Sequence, residues 1–169
     1  MPTPRENRLL SDYQKVRQAV ADSGGTLKLL EAAGSPPTRY VLEYACPGLV
    51  KDGNGQPCIA HKHRVEINLG ANYPISQPVA RMLTPTFNPH VFMTNNICLG
   101  KQWAATETLD TLILRIGAIL QLDPKIIDFN SLANKEAGNW ARNNPRQLPL
   151  PGWVTFKKST QPASRITWK

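Results

Sequence analysis

Residues Tyr73 to Cys98 read YPISQPVARMLTPTFNPHVFMTNNIC, an extended run followed by a long irregular loop. Val79 to Leu83 fits a short strand, whereas Asn88 to Lys101 has neither helical nor alternating periodicity. That loop carries Cys98, framed by Asn88, His90, Asn95 and Asn96. A thiol becomes a useful nucleophile and acyl carrier when it is accessible and polar groups nearby stabilise the thiolate and a developing oxyanion. Loops of this kind favour functional residues, so the stretch points to thiol chemistry rather than to a disulfide.

Upstream, Leu9, Tyr13, Val16 and Val20 repeat at helical spacing, which predicts an amphipathic helix over residues 5–21. Ser23-Gly24-Gly25 stops it. Three extended runs follow, at 26–32, 39–45 and 59–69, separated by Gly34-Ser35-Pro36-Pro37 and by Asp52-Gly53-Asn54-Gly55. Turn signals between extended runs predict an antiparallel meander, with 79–83 as its fourth strand. Downstream, Thr108 reads as an N-cap, and Leu109, Leu112, Ile113, Ile116 and Leu120 mark the core-facing stripe of a helix ended by Asp123-Pro124. Another helix is expected from about Ser131 to Asn143, before Asn144-Pro145. Helix, four strands, long loop and two helices make an α+β domain with its helices on one side of an antiparallel sheet.

A chain of 169 residues, 41% hydrophobic and 19% charged, suits one core and one domain. Twenty Lys and Arg against 12 acids give a net charge of +8, which favours acidic partners without naming their class. No signal peptide and no apolar run of about 18 residues is seen, so a cytoplasmic setting with three free thiols is expected. The four tryptophans do not cluster with basic residues, which argues against nucleic acid as a partner. Cys46, Cys58, His61 and His63 raise the question of zinc. They lack a Cys-x-x-Cys knuckle, and the alternation of His61 and His63 is explained by a solvated strand face.

From Tyr73-Pro74 onward the spacing resembles that of the ubiquitin-conjugating enzymes, the E2 family. The resemblance rests on Tyr73-Pro74, Pro78, Thr84-Pro85, Phe87, Asn88-Pro89-His90 and Ile97-Cys98-Leu99, then Trp103, Thr108, Asp123-Pro124 and Asn134-Lys135-Glu136-Ala137. It implies a UBC-like fold over residues 1–145, with a basic extension at 146–169. It further implies that Cys98 accepts the C-terminus of a ubiquitin-like protein from an E1-like activating enzyme, as a thioester, and passes it to a lysine of a target protein. No cofactor and no metal is implied. A non-catalytic binding module on the same fold is the competing expectation, and retention of Cys98 favours the enzyme.

The family's His-Pro-Asn appears here as Asn88-Pro89-His90, which places a histidine eight residues before Cys98, where the family has asparagine. The resemblance assigns His90 to oxyanion or loop support, with a pH dependence expected between about pH 6 and 8. Asn88 falls to structural support. Asp128 matches the family's lysine-orienting aspartate, or else is a solvated acid. Arg5, Arg8 and Lys15 of the first helix, with Ile75 and Trp103, match the docking surface, although Trp103 also reads as plain core. The loop after Cys98 is short, and Ala104-Ala105 replaces the family's Ser-Pro. These departures suit divergent bacterial relatives that work with their own activating enzyme, modifier and deconjugating peptidase, a setting that suggests antiphage defence.

Overall fold

The computed structural model describes residues 1–149, and the greater part of the extension set at 146–169, including Trp153, lies outside them. Helix α1 (Pro4–Asp22) starts on a capping box in which the Thr3 hydroxyl accepts from the Glu6 N–H and the Glu6 carboxylate accepts from the Thr3 N–H. Pro4 at its first position costs no hydrogen bond. The strands are β1 (Leu27–Gly34), β2 (Pro37–Tyr44), β3 (Gly48–Lys51), β4 (Pro57–Ala60), β5 (His63–Asn68) and β6 (Val79–Met82). They form a four-stranded antiparallel sheet in the order β1-β2-β5-β6 and a separate hairpin, β3-β4. Helices α2 (Leu109–Leu120) and α3 (Lys135–Asn143) follow.

The run expected as one strand over 59–69 is two strands in two sheets. Ile59 pairs locally with Leu49, while His63 already faces Tyr44 of β2. The break at residues 61–62 has a cause in His63, which is wholly buried and whose Nε2 lies 3.1 Å from the Ala60 carbonyl oxygen. His63 is therefore a corner residue of the core, and the expected solvated strand face fails for both histidines, since His61 is exposed but sits in the bend between β4 and β5. Burial lowers the pKa of His63, as expected for a base denied water.

Alternation then sorts the main sheet. Tyr40, Leu42, Tyr44, Val65, Ile67, Ala80 and Met82 form the face that packs against α1 and α2. The opposite face carries Glu43 directly across from Arg64 at 3.0 Å, and Arg39 bridging Glu31 and Glu66 at 2.8 Å each. Cross-strand pairs of opposite charge support the register. Helix α3 seals a second cluster made of Leu49, Phe87, Leu122, Ile127, Ala137 and Ala141, to which Leu148 adds.

A polar tie crosses the main core. Asp12, wholly buried on α1, accepts from Arg8 Nε at 2.7 Å, from the Leu109 N–H at 3.1 Å and from the Tyr73 hydroxyl. One carboxylate thus joins α1, the Tyr73-Pro74 loop and the start of α2, the last a favourable place for negative charge. Burial and Asp12 together push the Tyr73 phenol above its ordinary pKa.

Gly48 is demanded by close approach. A Cβ there would lie 2.6 Å from His63 Nε2 and 3.1 Å from the Leu120 carbonyl oxygen. Because His63 is pinned, overpacking should be felt in full: Gly48→Ala is expected to lower unfolding free energy by about 1–3 kcal/mol in urea titrations. An unchanged midpoint would show that the corner yields.

Candidate active site

Helix α2 stops at Leu120 because Leu122 adopts a left-handed φ of 55°, and the chain then turns through Asp123-Pro124 into a loop running to Asn134. Asp123 Oδ1 accepts the Lys125 N–H at 2.9 Å, and the Asp123 carbonyl accepts from Ile126 and Ile127. Helix α3 starts at Lys135 rather than near Ser131. The preceding N–H groups are engaged elsewhere, since Ala133 and Asn134 both donate to the Pro89 carbonyl, at 2.9 and 3.1 Å. Asn134 is the cap, its Oδ1 accepting from the Ala137 N–H at 3.0 Å.

The tripeptide Asn88-Pro89-His90 receives the rest. Asn88 is buried; its amide donates to the Ile119 carbonyl at 2.8 Å, and its Oδ1 accepts the His90 N–H at 2.8 Å. The His90 carbonyl accepts the Cys98 N–H at 2.7 Å. His90 Nε2 accepts the Asp128 N–H at 3.0 Å. Asn88 is thus a brace, and His90 links the cysteine to the loop that bears Asp128.

That last bond fixes the chemistry of His90. A ring nitrogen that accepts carries no proton, so the neutral ring holds its hydrogen on Nδ1. Burial lowers the pKa of His90, only partly offset by the negative charge of Asp128. An imidazolium at His90 is therefore disfavoured near neutrality, and the pH dependence expected between about pH 6 and 8 moves below the ordinary value of 6.5. Held in this way, Nε2 is also unavailable as a general base toward water.

Cys98 is half-buried, and with His90 and Asp128 it lines a groove of about 600 Å³ formed by loops at 98–102 and 125–131 together with Arg115 and Ile119 of α2. Asp128 is exposed, one of its oxygens accepting the Asn130 N–H at 2.9 Å. Gln102 and Ser131 also line the groove and escaped the sequence reading, because a lone polar residue in a loop gives no periodic signal. Burial pushes the Cys46 thiol up to about 12, which leaves it inert, and Cys58 is exposed on β4, away from the groove.

The residues expected at the docking surface separate. Arg5, Arg8 and Ile75 line a second groove, and Ile75 is 81% exposed. Lys15 is exposed on α1 but does not line it. Arg8 is occupied internally by Asp12, by the Tyr73 hydroxyl at 3.1 Å and by the carbonyls of Ala105 and Glu107. Trp103 packs on Tyr73 with ring centroids 6.1 Å apart and donates to the Pro74 carbonyl at 2.7 Å, so it serves the core.

A family model described as ubiquitin-conjugating enzyme matches residues 49–149. Ubiquitin-conjugating enzyme E2 pex4 of Dictyostelium discoideum is 31% identical over 104 residues, covering 59% of this chain and 67% of that protein. Ubiquitin-conjugating enzyme E2 K of Homo sapiens is 35% identical over 63 residues, 35% of this chain and 32% of that one. In structure, a ubiquitin conjugating enzyme (putative) from Trypanosoma cruzi superposes with a TM-score of 0.62 at 17% identity, covering 86% of this chain and 95% of that chain, which shows the UBC-like fold. With the family model spanning most of the described residues and the same fold around it, this chain belongs to the ubiquitin-conjugating enzyme family.

Proposed function

We propose that Cys98 carries the C-terminus of a ubiquitin-like protein as a thioester, received from an E1-like activating enzyme, and passes it to a lysine amine of a target protein. The observation that supports this most is the His90 clasp, which ties the Cys98 segment and the Asp128 loop to one residue beside a shared groove. In the transfer, the amine attacks the thioester carbonyl, the C–S bond breaks, and the proton leaves the nitrogen. Asp128 orients the amine and favours its neutral form. The Cys98 N–H is already engaged, so the oxyanion draws on side chains, with His90 Nδ1–H as the first candidate and the Gln102 amide as the second. Preventing His90 from acting as a base protects the thioester against hydrolysis. The short loop after Cys98 and the inverted tripeptide favour a divergent pathway of bacterial type.

Three outcomes are expected. With the cognate activating enzyme, modifier and ATP, a conjugate cleaved by reducing agent should form on the wild type and on the Cys46→Ala and Cys58→Ala variants, and be absent in Cys98→Ala. A conjugate surviving in Cys98→Ala sinks the assignment. Asp128→Ala should charge normally yet discharge to free lysine about 10²-fold more slowly, and an unchanged rate would remove Asp128 from the chemistry.

The pH dependence follows from the lowered pKa of His90. A depressed folded pKa means that the clasp is intact above 6.5 and is lost as pH falls through the lower folded value, where a proton on Nε2 would face the Asp128 N–H. The ratio of wild-type to His90→Asn discharge rates should be flat above 6.5 and fall below it. A ratio independent of pH down to about 5 would show that His90 does not titrate in the cycle.

A further inference from the structure

The groove beside Cys98 carries an excess of positive charge. Lys101 on the Cys98 loop, Lys125 on the Asp128 loop and Arg115 of α2 line it, and Asp128 is its one acid among the described residues. Glu107, outside the lining, binds Arg115 and offsets that charge, whereas neither lysine has an acidic partner within 4.0 Å among the described residues. Both lysines are exposed. Lys101 lies three residues beyond Cys98, a backbone span of at most about 11 Å. Lys125 lies three residues before Asp128, on the loop that His90 holds against the Cys98 segment. Any chain esterified to the Cys98 sulfur therefore starts in a groove flanked by two unpaired lysines.

We propose that this groove selects a modifier whose C-terminal tail carries acidic residues close to its terminal carbonyl. This rests on Cys98 being the thioester carrier. Tail and acceptor make unequal demands on the site. An acceptor contributes one lysine side chain, a cation that Lys101 and Lys125 repel and that Asp128 attracts. The tail stays in place for the life of the thioester, and it must leave Cys98 extended, because a groove of about 600 Å³ holds a few residues and not a folded domain. Carboxylates on the tail would satisfy Lys101 and Lys125 and leave the charge of Asp128 to the incoming amine. Arginines or lysines on the tail would meet two cations and add to the repulsion of that amine. Each exposed pair of opposite charge is worth about 1.4- to 5-fold in affinity, so two pairs amount to selection, and the loaded tail completes the acceptor site electrostatically.

The test uses three N-acetylated hexapeptides, Ala-Glu-Ala-Glu-Gly-Gly and its Gln and Arg counterparts, on full-length protein carrying Cys58→Ser. Each is activated at its C-terminus as a thioester of N-acetylcysteamine, a neutral thiol. In the exchange the Cys98 thiolate attacks the thioester carbonyl carbon, the old C–S bond breaks, and N-acetylcysteamine leaves as its thiolate and takes up a proton from water. Acylation of Cys98, followed by mass spectrometry, should be fastest with the Glu peptide and slowest with the Arg peptide. The two should differ by at least about fivefold in about 20 mM salt, and by less in about 0.5 M salt, where screening is far stronger. The double variant Lys101→Glu, Lys125→Glu should invert the order, with the neutral Gln peptide correcting for any change in thiolate fraction. Equal rates for the Glu and Arg peptides, no acylation by any of the three, or an order unchanged in the double variant overturns acid selection and leaves the carrier reading to the activating-enzyme assay. A charge preference confined to acceptor amines during discharge overturns it too, since the acids would then belong to the target. Failure of Cys98 to charge with the cognate activating enzyme overturns both.

Discussion

The Asn88-Pro89-His90 tripeptide gathers the end of α2, the Asp128 loop, the entry to α3 and the Cys98 segment onto consecutive residues through buried or half-buried hydrogen bonds. Each such bond contributes about 1 kcal/mol when made, yet a buried partner left without one costs more, so the set holds or fails together. Secondary structure alone would leave these segments as separate loops with no fixed relation to the thiol. The clasp brings the Cys98 thiol and a carboxylate to one groove.

Histidine in this position has a different consequence from an amide. Asparagine offers both a donor and an acceptor at any pH, whereas His90 accepts the Asp128 N–H only while neutral, and its burial keeps it so. A single bond therefore sets the tautomer, holds the loop and keeps Nε2 from acting as a base beside Cys98. The excess of positive charge is likewise divided by use. Arg8, Arg39, Arg64 and Arg115 are tied to acids within the fold, while Lys101 and Lys125 line the groove without an acidic partner among the described residues.

Much of this was legible along the chain. The 3.6-residue stripes of α1 and α2, the turn signals between strands and the loop bearing Cys98 all follow from local preference, so the α+β class and the order of the four main strands could be read directly. The small hairpin could not. Gly48 to Lys51 is too short to show a period, and the run 59–69 appears continuous until His63 is seen to turn inward. Helix α3 starts later than its local sequence suggests because the N–H groups just before it, those of Ala133 and Asn134, serve the Pro89 carbonyl, a partner remote in sequence.

The sequence by itself determined the candidate nucleophile, its polar frame and the family, because spacing between residues in one loop is a local property. Tertiary structure decided the roles. Only folding could bury Asp12 against Tyr73 and the start of α2, occupy Arg8 and Trp103 within the core, and set His90 Nε2 against the Asp128 N–H. Burial and hydrogen-bond partners fix the charge, tautomer and freedom of a side chain, and these come from segments that meet only in the folded molecule.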